Sequence, residues 1–548
     1  MGLSHYKIKE CDILIIGGGG SGALASLEAS KHENLKIILA SKGPIGQSGL
    51  TPTGNGGTKA VGSADELFQD MVTGGRFLND QEIVWFMVNE IQNSLERLKQ
   101  LGIPITPSRG KSVCVPSTET LKKLRKIITK THNIELLEDV LITRLLKSNG
   151  TVSGATALDL TTGEFFLIKA TTVVIATGGY TGELYPHTSN NPFGISSDSS
   201  GTGQVMAYLA GAELVDMEMI QFIPLPANPR CLYLRYFPDF WAGPYENRFG
   251  EVIESNVNAY HGESYSYLFV QKLFRELEKG NGPIYIDQRN LKSPDPTLMI
   301  KAWDQRRKLI KSLGIDPHQM KIEIILGSHF GMGGIKVNKK TETRIPSLYA
   351  TGEVMGGVQG GMRISGYSFT QMIVFGFEAG RQAAIYALEG QKPGGFSTFD
   401  IDQERESILR FLKPKQDPLS VIELKKRLQQ VMQDHVFIIR DKSGLSEAMD
   451  KIRAIRADVS RLQAPNFKRF NLEWVRAIEF SLMIELAELI VKSALAREES
   501  RGFHHRRDFP EEDNEKWLKH TLVKWEEGHP KVGSTPVVLD RLKPVTKT

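Results

Sequence analysis

The sequence predicts an α/β fold: a doubly wound parallel sheet around one large cofactor, with an inserted α+β cap domain and a C-terminal helical domain. Three observations carry this. A continuous apolar strand, Cys11–Ile16, runs into GGGGSG, then into helical spacing over Ala23–Lys31 and a second strand at Lys36–Ala40. That order is a βαβ unit opening a parallel sheet. Far downstream, the short apolar strand Leu348–Ala350 enters a second glycine turn, with six glycines in the fifteen positions 352–366. Glycine accepts positive φ and has no Cβ, so both turns let backbone N–H groups approach a ligand closely. Beyond about residue 400 the chain turns almost wholly to helical spacing.

Taken in order, the glycine-rich stretch 43–62 reads as a long irregular loop, a length that is usually functional inside a compact domain. Glu82–Gln100 places Ile83, Phe86, Met87, Ile91, Leu95 and Leu98 at helical spacing. Thr172–Ala176 is a buried strand that ends in the turn Thr177-Gly178-Gly179. From 223 the texture changes. Prolines and tyrosines crowd 223–245, helical patterns follow at 264–279 and 297–312, and Ile322–Leu326 is strand-like. This segment is the expected cap. Gly333–Val337 and Leu348–Ala350 resume the sheet, and Phe369–Leu388 forms a long apolar helix. Helical patterns at 404–412, 419–436, 444–463 and 472–496 read as a separate bundle, and the charged tail from 500 reads as irregular. The expected division is 1–222 and 329–400 for the cofactor domain, 223–328 for the cap, and 401–548 for the helical domain and tail.

The 548 residues are too many for one hydrophobic core. A net charge of +5 against 24% charged residues gives little support for a nucleic-acid or membrane-surface role. The three cysteines, Cys11, Cys114 and Cys231, lie far apart without CxxC spacing. They suit neither an iron–sulfur cluster, a structural zinc nor a disulfide framework. No apolar run is long enough to span a membrane, so the expected location is cytoplasmic, with any membrane contact through a partner.

Gly17-x-Gly19-x-x-Gly22 follows a strand and opens a helix, the context that gives this pattern meaning. The first glycine makes the tight turn, the second lets the backbone meet a pyrophosphate, and the third lets helix pack on strand. The second strand ends Ala40-Ser41-Lys42, without the acid that often holds a ribose there. A hydroxyl and an ammonium must serve instead. Glu353, at the mouth of the second turn, is placed to give a carboxylate to the cofactor's hydroxyls.

Together these motifs carry a family resemblance. CDILIIGGGGSG, ILASKGPIGQSG, GNGG, VVIATGGY, SGTGQVMAYLAGAELVDMEMIQFIP, SHFGMGGIKV, LYATGEV, GGMRISGYS and ALAREESRGFHHRRDFPEEDNEKWLKHTL resemble the flavoprotein subunits of succinate dehydrogenase and fumarate reductase. L-aspartate oxidase and the α chain of adenylylsulfate reductase share that superfamily. The resemblance implies a Rossmann-like FAD-binding domain. It places FAD against Gly17, Gly19, Gly20, Ser21, Gly22, Ser41, Lys42, Ser48, Gly49, Asn55, Gly56, Gly57, Thr177, Gly178, Thr202, Glu353, Ser368 and Phe369. Where membrane-complex members carry a flavin-bonded histidine in a Ser-His-Thr run, this chain has Ser48-Gly49-Leu50, so the FAD should be noncovalent. Thr202, in Gly201-Thr202-Gly203, replaces the family's aspartate.

The substrate side departs further. By resemblance His329 is one of two dicarboxylate-gripping histidines and Arg363 is the gripping arginine, but the other histidine falls on Ile223. The cap's Thr-Glu-Gly element is not visible. Where a proton-delivering arginine should precede a cap helix, the chain reads Ser264-Tyr265-Ser266-Tyr267. Reduction of a double bond needs a proton donor within hydrogen-bond reach. The candidates are Tyr265, Tyr267 and His261, with Arg230 and Arg235 if the cap folds differently. An apolar Ile223 cannot hold a carboxylate. Arg363 then anchors a single anionic group. The tail mixes charges with Trp517 and His504–His505 and, taken alone, is a solvated helix end; the resemblance puts it against the FAD domain, near an iron–sulfur subunit. The expected activity is an FAD-dependent two-electron oxidoreductase acting on a small anionic substrate and exchanging electrons with an iron–sulfur protein. Adenylylsulfate reductase-like sulfur chemistry and a flavin relay without its own small substrate are the alternatives.

Overall fold

The computed structural model describes residues 6–544 except 55, 109, 190–198, 229–243, 254–265, 288, 290–311, 313–318 and 391. The central sheet is built from β1 (Ile8–Ile16), β2 (Ile37–Ala40), β3 (Ile134–Leu137), β4 (Val140–Ser148), β5 (Thr151–Asp159) and β6 (Phe165–Ile175). Its order is β3-β2-β1-β6-β5-β4, and Leu348–Ala350 pairs with the end of β6. β1 is parallel to both neighbours, with Ile13–Ile16 between Ile37–Ala40 and Thr172–Ile175. A strand covered on both faces reads as an unbroken apolar run, which is how the sequence spells it. The β4-β5-β6 meander is antiparallel; the expected strand Thr172–Ala176 falls at the end of β6, while β4 and β5 have no counterpart in the sequence expectations.

Five helices position the site: α1 (Gly20–Ala29), α2 (Thr202–Leu209), α3 (Tyr267–Glu278), α4 (Tyr367–Leu388) and α5 (Leu472–Ala496). Every residue of α1 is buried. α4 closes on it so tightly that a Cβ at Gly380 would stand 2.2 Å from the Ala25 carbonyl oxygen.

Between these elements, β7 (Ile220–Asn228) pairs antiparallel with β9 (Lys321–Gly331), and β9 pairs with β8 (Ile284–Asp287). The expected strand Ile322–Leu326 lies in the first half of β9. α3 packs on this sheet through Phe269, whose ring meets Tyr245 edge-on at 4.8 Å. The helical pattern at 297–312 lies, but for position 312, outside the described residues.

The helices expected beyond 400 form at Thr398–Leu409, Val421–His435, Lys442–Asp458 and α5. One continuous apolar core joins them to the central sheet. The tail also departs from expectation. β10 (Lys519–Glu526) and β11 (His529–Pro536) form a hairpin, and β10 pairs with Leu214–Val215. Arg497 and Arg501 are fully buried, not solvated. Arg497 donates from Nε to Glu218 Oε1 (2.6 Å) and from Nη1 to Glu499 Oε1 (2.8 Å), and Arg501 grips both oxygens of Glu499. Nearby, His520 Nδ1 lies 2.6 Å from Asp216 Oδ2. Burial works to lower the His520 pKa, yet the Asp216 carboxylate overcomes it and the net shift is upward. His504 is likewise buried, and its pKa is pushed far down by that burial and by Arg440, Arg497 and Arg506. Alternating charges look solvated when their partners lie 279 residues away, as Glu218 does from Arg497.

Candidate active site

At the nucleotide end, shape decides the sequence. Gly17 has φ +117°, and a Cβ there would stand 2.3 Å from the Ala176 carbonyl oxygen at the end of β6. A Cβ on Gly22 would meet the Gly17 carbonyl oxygen at 1.9 Å. The turn can sit between β1 and α1 only without these side chains. Gly19 precedes α1 with extended backbone and no side-chain cap, and Thr51 Oγ1 accepts from the Gly20 N–H at 3.2 Å. The helix N-terminus is left open to an anion.

Of the other expected cofactor residues, Ser41, Lys42, Thr177, Gly178 and Glu353 lie just beyond the carboxyl ends of β2, β6 and Leu348–Ala350, where ligands of open parallel sheets bind. Ser41 lies against Gly18, and Lys42 Nζ is 2.7 Å from Glu479 Oε1. Thr177 and Gly178 follow β6, and Thr202 opens α2 with its side chain buried. Ser21 faces Gly352. Glu353 lies across Gly179 and accepts from the Gly331 N–H at 3.3 Å. Gly57 begins the strand Gly57–Lys59 beside Gly56, and the Phe369 ring lies on Gly54. Ser48 Oγ donates to the Pro44 carbonyl at 3.0 Å. Gly49 has φ +77° and open space where its Cβ would be. Asn55 lies outside the described residues.

A dinucleotide suits this cradle. Thr177 Oγ1 and Gln204 Oε1 are buried without hydrogen-bond partners among the described residues, and they border Gly203 and Gly178. Buried polar atoms in that state call for a ligand's hydroxyl or phosphate groups.

At the other end of the site, polar side chains do the positioning. Gln221 pairs with Phe330 and Phe222 with Ser328, so the bulge in β9 falls on His329. A bulge re-aims the side chain it carries. His329 Nδ1 is 2.6 Å from Ser189 Oγ, and its Nε2 is 2.8 Å from Arg363 Nη2. An arginine only donates, so Nε2 accepts and Nδ1 carries the hydrogen toward Ser189. Arg363 also donates from Nε to Gln221 Oε1 (2.9 Å) and from Nη1 to Ser368 Oγ (3.1 Å). Its guanidinium stands 5.1 Å from the centre of the Phe330 ring. Both His329 and Arg363 are 5% exposed.

Gln221 and Ser189, which hold Arg363 and His329, are not among the residues the sequence singles out. The signal for Gln221 was present: a polar amide inside the apolar run before Pro224, and fully buried. Ile223 is buried and, by strand alternation, shares the Gln221 face of β7. Tyr267, one of the candidate proton donors, is not an acidified phenol. Burial raises its pKa, outweighing the lowering by Arg76 and Arg501, and Glu512 raises it too. Its ring meets Phe503 edge-on at 6.3 Å. Tyr265, His261, Arg230 and Arg235 lie outside the described residues.

Residues 12–126 and 115–369 match the FAD binding domain family, and residues 425–548 match the fumarate reductase flavoprotein C-terminal family. The chain belongs to the succinate dehydrogenase/fumarate reductase flavoprotein family. This flavoprotein is an FAD-dependent oxidoreductase. It is 32% identical to an uncharacterised FAD-dependent oxidoreductase of Methanocaldococcus jannaschii, over 94% of this chain and 96% of that one. It is 30% identical to a subunit of the CoM/CoB fumarate reductase of Methanothermobacter marburgensis, over 94% and 97% of the two chains. The quinol fumarate reductase flavoprotein of E. coli superposes with a TM-score of 0.87 at 25% identity, covering 98% of this flavoprotein and 99% of that chain. Among the described residues no helix is long and apolar enough to cross a membrane, and no cluster of His, Cys, Asp and Glu could hold a metal ion.

Proposed function

We propose that this flavoprotein exchanges two electrons with a small substrate held through a single anionic group on Arg363, and that an iron–sulfur partner protein carries the electrons onward. The observation behind this is the buried guanidinium of Arg363, fixed by Gln221, His329 and Ser368. A preoriented arginine in a dry site binds carboxylate, sulfonate or phosphate strongly. Bound FAD supplies hydride exchange at its N5 atom. Arg363 orients the anion, neutral His329 adds a polar wall, and Ile223 offers an apolar surface where a second carboxylate would find no partner. Tyr265, just ahead of α3, is our candidate proton donor. The FAD is held without a covalent bond through this loop, because Gly49 has no side chain to attach. The partner rests on the relatives, one of which is itself named as a component of a fumarate reductase complex, and on the three scattered cysteines, whose spacing suits no cluster.

The test is oxidation of a reduced viologen dye by the purified FAD-loaded chain, offered acrylate, crotonate, fumarate and adenylylsulfate in turn. A monoanion should be turned over best. Arg363→Gln should cut kcat/KM on the order of 10³-fold while flavin content stays full, and Tyr265→Phe should cut it about 10²-fold. Undiminished turnover by Arg363→Gln, or a clear preference for fumarate, would sink the single-anion reading.

A further inference from the structure

We infer that Glu479, on α5 of the C-terminal region, supplies the carboxylate that receives the ribose hydroxyls of the FAD adenosine. In a dinucleotide-binding βαβ unit the adenosine ribose lies beside the end of the second strand. An acid about 20 residues after the glycine turn accepts its hydroxyls there. This chain has Ser41 and Lys42 at that point, and nearby Thr202 contributes only a hydroxyl. The carboxylate missing from the local sequence arrives from a residue 437 positions downstream.

Glu479 Oε1 accepts from Lys42 Nζ at 2.7 Å and from Ser200 Oγ at 3.1 Å, and Ser200 lies two residues before Thr202. Both contacts fall on Oε1, and Oε2 receives no hydrogen bond from the described residues. One oxygen is pinned and the other is offered. The side chains of Lys42 and Glu479 are 22% and 14% exposed, so the pair is largely withdrawn from water. α5 is held rigidly on either side, with Ile478 and Phe480 buried at 3% and 2% exposure. A carboxylate fixed in this way accepts hydroxyl hydrogen bonds of the strong, charge-assisted kind. The bland alternative is an ion pair that only fastens α5 to the FAD domain. The two differ in one respect: only the first role can sense the ribose.

The inference rests on the cofactor and not on the substrate reading, so binding is measured without any substrate. Apo-flavoprotein is titrated with FAD and with the analogue whose adenosine ribose lacks both hydroxyls, following flavin fluorescence. Wild type should bind FAD roughly tenfold more tightly than the dideoxy analogue. Glu479→Gln should weaken FAD by that same factor and leave the analogue unchanged, and Glu479→Asp should fall between. Equal weakening of both ligands by Glu479→Gln would overturn the inference, since a mere fastener treats them alike. So would a wild-type protein that binds both dinucleotides equally, a result that needs no variant to fold.

Discussion

The glycine turn at 17–22 and the grip around Arg363 serve one bound cofactor and its reaction, and they are made from different material. The turn works by leaving room. Backbone oxygens at Gly17 and Ala176 stand where Cβ atoms would otherwise be, and everything it needs lies within a short stretch plus the end of β6. The grip works by filling space with polar contacts. Gln221, His329 and Ser368 come from β7, β9 and α4 to hold one guanidinium. Absence of side chains is a local property and survives in a motif. A hydrogen-bonded cluster is a property of the folded chain.

Gly22→Ala attacks the first kind of specification and should have the largest effect of three changes. Its Cβ cannot coexist with the Gly17 carbonyl, and overpacking of this sort costs about 1–3 kcal/mol. FAD affinity should drop by roughly ten- to a hundredfold, read as flavin retained after gel filtration. Full retention would mean that the helix can back away from the turn. Gln221→Leu attacks the second kind. It removes the acceptor for Arg363 Nε, and a hydrogen bond to a charged group is worth about 1.5–3 kcal/mol. KM for the anion should rise about tenfold with FAD affinity intact; a change in FAD binding instead would show that the two ends are not separable.

The smallest effect concerns His505, in the C-terminal region, which pairs with Ile439. Burial first, then Arg275, Arg507 and Arg440, depresses the His505 pKa from 6.5 to about 4. The native state keeps this ring neutral where the unfolded chain already takes up a proton. The stabilisation is therefore complete above pH 6.5 and is lost as the pH falls from there toward about 4. His505→Gln should flatten that acid limb in denaturant midpoints taken at pH 7, 6 and 5. An unchanged slope would show that His505 contributes nothing to it.

Much of the scaffold was legible because its causes are local. The helix expected at Glu82–Gln100 forms at Gln81–Gln100, started by Asp80, whose side chain accepts from the Glu82 and Ile83 N–H groups. The βαβ unit and the strand before the second glycine turn also lie where their apolar runs put them. Strands β4 and β5 are not legible, because antiparallel strands buried on both faces lose the period-two signature. The bulge at His329 has no sequence mark at all: it arises from the register of β7 against β9. The charged tail misled for a related reason. Arg497 is an exposed-looking residue until Asp216, Glu218 and Glu499 are folded around it.

That last cluster has a consequence for how the protein is made. Glu218 leaves the ribosome 279 residues before Arg497, and at roughly 5–20 residues per second the wait is on the order of half a minute. During that interval the nascent chain has already exposed its glycine turn, while the acids leading into β7 stay hydrated and unmatched. Gln221 sits three residues beyond Glu218 on the same run of chain, so the segment leading into it is anchored at Glu218 only after Arg497 has been made. The acids that lead into the anion grip therefore find their partner long after the glycine turn has been made.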